Sequence, residues 1–262
     1  MRLKKYNMCC EPRFHMKIAL LESDIIWEQP QANCRGYEAQ MDALPSEVDI
    51  IVLPEFFTLG FSMHTALAEP AKGPGFAWMQ AQAAARGAAL AGSLMVREGE
   101  GVYNRFYFVC PDGNHFQYDK RHLFRCGEEH LHMRAGQNRP VFAYKGWNIC
   151  LQICYDLRFP VWSRNRNLEY DLLLYVANFP SARQAVLDPL LRARAIENLA
   201  YVGFVNRIGS DGMGLHYEGG SCLIDYKGQK EKGGPVYTLS LDSLREFRKK
   251  FPVYMDADEF VI

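Results

Sequence analysis

Ile153-Cys154-Tyr155-Asp156-Leu157-Arg158-Phe159-Pro160 decides how this chain is read. The run 147–152 before it alternates apolar and polar residues and predicts a strand. Cys154 therefore stands where a buried strand gives way to a turn. Strand ends in α/β proteins are where site residues collect. A cysteine there is a nucleophile only if another group makes it a thiolate. Two residues can do so if the fold delivers them. Glu55 ends the apolar run Ile51-Val52-Leu53-Pro54, and Lys120 follows Tyr118-Asp119.

Working outward, 262 residues at 48% hydrophobic content suffice for one large core. The 30 basic and 30 acidic residues cancel, and no basic stripe points to nucleic acid or an anionic membrane. Zero net charge does little to keep copies apart and is compatible with a homo-oligomer. No apolar run reaches the roughly 18 residues of a membrane span. Residues 1–15 are polar, contain Cys9 and Cys10, and lack the apolar centre of a secretory signal. They read as an N-terminal extension, with 16–262 as one domain ending in a C-terminal tail. Eight cysteines (9, 10, 34, 110, 126, 150, 154, 222) follow no framework of spacings, which favours free thiols in a reducing, cytoplasmic setting.

The pattern along the chain alternates. Strands are predicted at 16–21, 48–54, 88–96, 102–110 and 115–119, the last two joined as a hairpin by Pro111-Asp112-Gly113-Asn114. Helices are predicted over 30–44 and 76–86. Residues 121–140 read as irregular. The second half repeats the theme, with strands at 148–153, 171–177 and 200–206 and helices near 160–167 and 184–198. Short strands at 221–225 and 235–241 and a charged helix at 242–250 precede the tail. This order predicts an α/β domain whose two sheets, each covered by helices on one face, stack into four layers.

Singly, each chemical residue has an ordinary reading. Cys154 can be an inert core thiol, Glu55 a turn carboxylate, Lys120 a surface lysine, and Arg158 a structural partner of Asp156 or of a carbonyl. His130 and His132, with Cys126 nearby, raise the question of zinc, since two His at i, i+2 share a strand face. No paired CxxC or acidic third ligand stands at the usual spacing. Gly60-Phe61-Ser62-Met63 is not a serine-hydrolase elbow, and no phosphate-binding glycine pattern is present.

Together, Leu53-Pro54-Glu55-Phe56, Asp119-Lys120-Arg121-His122-Leu123 and Cys154-Tyr155-Asp156-Leu157-Arg158-Phe159-Pro160 resemble the three signatures of the nitrilase, or carbon–nitrogen hydrolase, superfamily. The segment 129–136 resembles the one carrying that family's second glutamate, here Glu129. The segments 177–183 and 206–217 resemble its omega-amidase branch, and similarity runs from about Met16 to Val253. Two departures stand out: Leu187 replaces an expected Trp at the pocket margin, and residues 1–15 have no counterpart.

The resemblance implies a four-layer αββα sandwich that dimerises to αββα–αββα, with the C-terminal tail crossing the interface. It implies a Glu55–Lys120–Cys154 triad in which Glu55 moves protons and Cys154 attacks. Lys120 and the backbone N–H of Tyr155 would hold the oxyanion, and Glu129 would hold Lys120 and help position substrate. Arg158 would read a substrate carboxylate, with Phe61, Met63 and Phe179 as the apolar wall. The implied reaction is hydrolysis of the ω-amide of a dicarboxylate monoamide, such as 2-oxoglutaramate or 2-oxosuccinamate, through a cysteine thioester. It requires neither metal nor organic cofactor. The alternatives are another amidase of the superfamily, such as one acting on deaminated glutathione, and a non-catalytic scaffold of the same fold.

Overall fold

The structure is a computed structural model that describes residues 13–258. Most of the predicted N-terminal extension, with Cys9 and Cys10, and the end of the tail lie outside the described residues. Residues 13–15 correct its boundary. The Arg13 guanidinium pairs with Asp49 at 2.9 Å, its carbonyl accepts from the Trp147 indole at 3.0 Å, and the Phe14 carbonyl accepts from the Leu241 N–H. The folded body therefore begins before Met16.

The first half runs β1 (His15–Leu20), α1 (Pro30–Asp42), β2 (Ile50–Val52), β3 (Glu69–Pro70), α2 (Pro74–Arg86), β4 (Ala89–Glu98), β5 (Gly101–Val109) and β6 (His115–Asp119). Proline opens both helices, where its missing N–H costs nothing. Their buried side chains recur every three or four residues: Asn33, Tyr37 and Met41 on α1, and Phe76, Met79 and Ala83 on α2. Gly87, at φ +61°, ends α2 in the left-handed conformation that glycine adopts without a Cβ clash.

The second half runs α3 (Glu129–His132), β7 (Val141–Tyr144), β8 (Trp147–Ile153), α4 (Pro160–Ser163), β9 (Leu172–Ala177), α5 (Leu187–Asn198), β10 (Tyr201–Asn206), β11 (Ile208–Ser210), β12 (His216–Glu218), β13 (Cys222–Ile224), β14 (Val236–Ser240) and α6 (Leu241–Lys250). One sheet has the order β14-β1-β2-β4-β5-β6, with β3 added at the end of β4. The other has the order β13-β10-β9-β8-β7. β1, β2 and β4 are parallel, as are β8, β9 and β10.

Alternation along the strands builds the layers. Met16, Ile18 and Leu20 of β1 and Ile50 and Val52 of β2 meet Ile149, Leu151, Leu172, Leu174 and Val176 of the other sheet in one buried core. Ala19, Ile51 and Leu53 face the opposite way, against Tyr37, Met41, Phe76 and Met79 of α1 and α2. Leu173, Tyr175 and Val202 likewise face Leu187, Leu191 and Ala195 of α5. This is the four-layer αββα sandwich expected.

Four details depart from expectation. β14 returns from the C-terminal region to pair antiparallel with β1, so the halves are not separate repeats. The segment near 160–167 is not one helix. The Asn165 side chain bonds Tyr170 N, Tyr170 O and Asn198 O in place of backbone partners, and Asn167 turns left-handed at φ 53°. α5 starts at Leu187, after a 3-10 turn over Ser181–Val186. The strand β7 and the β11–β12 hairpin were not foreseen, because three or four residues are too few for a period to register.

Candidate active site

Lys120, Cys154 and Asn178 each directly follow the last residue of a strand (β6, β8 and β9), and Glu55 lies three residues beyond β2. The two sheets thus bring four side chains, separated by up to 123 residues, to the carboxyl ends of their strands. Glu55, Lys120 and Glu129 have no exposed surface. The Lys120 ammonium lies 2.8 Å from Glu55 Oε1 and 2.9 Å from Glu129 Oε2. Removing one partner of such a buried pair costs about 3–5 kcal/mol, because a charge is left unpaired.

Two asparagines that sequence reasoning missed complete the cluster. Asn104, inside β5, donates through Nδ2 to Glu55 Oε1 at 2.8 Å and to Glu129 Oε1 at 3.0 Å, and its carbonyl accepts from the Lys120 N–H at 2.9 Å. Asn178 donates its backbone N–H to Glu55 Oε2 at 2.8 Å and its side-chain N–H to the Glu55 carbonyl at 2.6 Å. Its position just after an apolar strand was a readable signal, the one that marked Cys154. A lone Asn within the alternating run 102–110 carried almost none.

These bonds set the chemistry of Glu55. Among the described residues, Oε1 accepts two hydrogen bonds and Oε2 only one. A carboxylate oxygen has room for two, so Oε2 keeps a free lone pair. Glu129 is fully engaged by comparison, since Phe124 N–H also donates to its Oε2 at 2.7 Å.

Cys154 sits on a sharp strand-to-helix turn at φ +41°, a conformation that costs a non-glycine residue of order 1–3 kcal/mol. Asp156 holds the turn. Its carboxylate accepts from Ile153 N at 3.0 Å, Tyr118 Oη at 2.7 Å and His122 N at 3.0 Å, and it pairs with His122 Nδ1 at 2.7 Å. The structural pairing of Arg158 with Asp156 is therefore not what forms. Arg158 is exposed on the cavity wall and has no ion-pair partner among the described residues.

Burial pushes the Cys154 thiol well above its ordinary pKa, Glu55 adds to this, and Lys120 opposes it. Burial alone would lower the Lys120 ammonium, but Glu129 and Glu55 carry it above its usual value. Burial also raises Glu129, with Lys120 pulling the other way. Burial and Glu55 thus favour the protonated thiol beside a fixed cation, in keeping with Glu55 as the group that takes its proton.

A cavity of about 580 Å³ opens over Cys154. Lys120, Tyr155, Arg158, Phe61, Met63 and Phe179 line it; Glu55 and Glu129, both fully buried, do not. Glu129 grips Lys120 from a fully buried position. Leu187 is buried between α5 and its sheet and does not line the cavity. His130 and His132 lie on the short helix α3, where residues two apart do not share a face. Among the described residues, no three His, Cys, Asp or Glu side chains gather as metal ligands. No helix there is long and apolar enough to cross a membrane.

The carbon-nitrogen hydrolase family model matches residues 17–233. Omega-amidase YafV of Escherichia coli (strain K12) is 46% identical over 252 residues, covering 94% of this chain and 98% of its own. The 2-oxoglutaramate amidase of Bacillus subtilis (strain 168) is 32% identical, covering 91% and 96%. Among solved structures, XC1258 of Xanthomonas campestris, a CN-hydrolase superfamily protein with an arsenic adduct in its active site, superposes with a TM-score of 0.90 at 45% identity. That match covers 95% of this chain and 99% of the other. The strand-end cluster and these likenesses lead to one conclusion: the chain belongs to the carbon–nitrogen hydrolase family, in the omega-amidase branch of the nitrilase superfamily.

Proposed function

We propose that this amidase hydrolyses the ω-amide of a dicarboxylate monoamide, with 2-oxoglutaramate as the leading substrate and 2-oxosuccinamate its shorter relative. One observation carries the reading. The Cys154 thiol faces a cavity backed by a Glu55–Lys120–Glu129 charge cluster and edged by Arg158, which has no ion-pair partner among the described residues. The names of the bacterial relatives support the same substrate class.

The amide carbon would sit beside Cys154 Sγ. As sulfur attacks, Glu55 takes the thiol proton on the free lone pair of Oε2, so no thiolate need exist beforehand. The carbonyl oxygen becomes an oxyanion. Lys120 touches Glu55 Oε1 at 2.8 Å and Glu129 Oε2 and Oε1 at 2.9 and 3.1 Å, and it also lines the cavity, where its charge would hold the oxyanion as first donor. The Tyr155 N–H lies in the first turn of a 3-10 helix, Cys154–Arg158, where backbone donors lack partners inside the helix. It supplies the second donor. Collapse breaks the C–N bond, and Glu55 passes its proton to the leaving ammonia. A thioester remains. Water, losing a proton to Glu55, attacks it and releases the carboxylate, and the thiol regains its proton. Glu129 and Asn104 hold the cation and base in place throughout. No step calls for a metal or organic cofactor.

The enzyme acts as a homodimer in this reading. Phe251, Val253, Tyr254 and Met255 at the C-terminal end are exposed and apolar, a face suited to a second copy. Its free cysteines fit a reducing, cytoplasmic setting. Ammonia release across a panel of ω-amides tests the assignment. 2-Oxoglutaramate should exceed both deaminated glutathione and neutral short amides in kcat/KM. A preference for deaminated glutathione would replace it, and no ammonia from any amide would leave the scaffold.

A further inference from the structure

We propose that Arg183 is a second carboxylate-reading residue of this cavity, working with Arg158 on the acid end of the substrate. The proposal rests on the ω-amidase reading and narrows it to anionic amides whose acid end bears no ammonium. Arg183 follows β9 and lies in the 3-10 turn Ser181–Val186, on the cavity wall with Cys154 and Arg158. Its guanidinium carbon stands 4.6 Å from the centre of the Phe124 ring. That ring packs edge-on against Tyr155 at 5.1 Å, so the guanidinium is anchored on the cavity wall.

What marks Arg183 is its lack of a counter-ion. It is half-buried, yet among the described residues no carboxylate or carbonyl takes its side-chain N–H groups. Other arginines of this chain that are removed from water have such partners: Arg105 on Asp119 and Glu98, Arg139 on Glu169, Arg194 on Glu197, and Arg248 on Asp171. Of the two acidic residues on the cavity wall, Asp211 is occupied. Its Oδ1 accepts from Met213 N and Leu215 N, and its Oδ2 from Tyr217 Oη at 2.7 Å. The other, Glu128, is exposed at the rim.

A partly desolvated guanidinium with free donors holds an anion better than an exposed one, whose charge water screens. By that argument Arg183 contributes at least as much as Arg158. Two cations on the wall of one cavity with Trp27, Phe61, Phe124 and Phe179, neither with an ion-pair partner among the described residues, also repel an ammonium. A 2-oxo acid carries only negative charge there, whereas its 2-amino counterpart brings a positive one.

The test is a ratio of kcat/KM values on purified full-length protein, taken for succinamate against butanamide, a neutral amide with the same number of carbons. Arg183→Met should lower this ratio by about 10- to 100-fold, the size of one hydrogen-bonded charge pair. Arg183→Lys should restore part of it. Combining Arg183→Met with Arg158→Met should cost less than the product of the single effects, since both hold one carboxylate. The preference for 2-oxoglutaramate over glutamine should narrow in Arg183→Met. Parallel loss on succinamate and butanamide, with the ratio kept, would make Arg183 a structural prop for Phe124 and overturn the proposal. So would Glu128→Gln reproducing the Arg183→Met ratio, since Arg183 would then act by holding Glu128. A wild-type ratio near one would sink the dicarboxylate reading itself. A wild-type preference that survives Arg183→Met sinks this inference alone.

Discussion

Asn178 holds Glu55 at both ends, its backbone N–H on the carboxylate Oε2 at 2.8 Å and its side-chain N–H on the Glu55 carbonyl at 2.6 Å. The carbonyl of Asn178 is in turn the hydrogen-bond partner of the Cys154 thiol, at 3.9 Å. One residue thus fixes the distance between the proposed base and the proposed nucleophile. Asn178→Ala removes the side-chain bond and leaves the Glu55 carbonyl without it. Stability should drop by about 1–3 kcal/mol, the cost of an unsatisfied buried acceptor. A larger proportional loss should appear in kcat than in KM. Denaturant midpoints and steady-state kinetics on the same preparation check both, and an unchanged kcat would remove Asn178 from the mechanism.

Cys154→Ala should abolish turnover while preserving the fold, since only the sulfur leaves. Iodoacetamide should inactivate the wild type and EDTA should not. A variant that still releases ammonia at the wild-type rate would end the thiol mechanism.

The raised thiol pKa of Cys154 gives a pH signature. Alkylation requires the thiolate, and the thiolate fraction rises with pH until the thiol pKa is passed. A thiol held above its ordinary value titrates late. The rate of inactivation by iodoacetamide should therefore still be climbing about one to two units above pH 8.5, where a free cysteine of pKa about 8.5 has levelled off. A plateau below neutrality would mean a preformed thiolate and would contradict the neutral resting state.

Glu129→Gln leaves the Lys120 ammonium with Glu55 as its one carboxylate partner. Glu55 is then tied more tightly to the cation and becomes a weaker base, so kcat should fall by more than tenfold. Circular dichroism should keep its native shape. Wild-type kcat in this variant would make Glu129 dispensable.

Arg158→Met should cost about 2–4 kcal/mol of transition-state binding for ω-amides that carry a carboxylate, the range of a charged hydrogen-bonded pair. Arg158→Lys keeps the charge but loses the fork and should fall between. If carboxylated and neutral amides lose rate equally and the melting temperature falls too, Arg158 is structural.

Light scattering should report a dimer at micromolar protein. Met255 is 73% exposed, and Met255→Glu should shift the equilibrium toward monomer without moving the local fold. A wild type that is monomeric under these conditions would leave the exposed tail without a partner.

The sequence by itself determined the parts that depend on local pattern. Apolar runs of strand length, helix faces spaced by three and four, and a Glu, a Lys and a Cys each placed just after such a run were all legible. The αββα layers came from the resemblance those motifs carry, and strand–helix alternation agreed with them. What the tertiary structure decided depends on which groups meet far from each other in the chain and on how much water is left around them. Asn104 could not be singled out until β5 was seen to pass behind both carboxylates. Arg158 was freed from Asp156 only because Tyr118, His122 and Ile153 had already taken that carboxylate. The protonation state of Cys154 was likewise beyond the sequence. Burial and Glu55 raise its thiol pKa and Lys120 lowers it, and the balance depends on how much water the fold leaves around the sulfur.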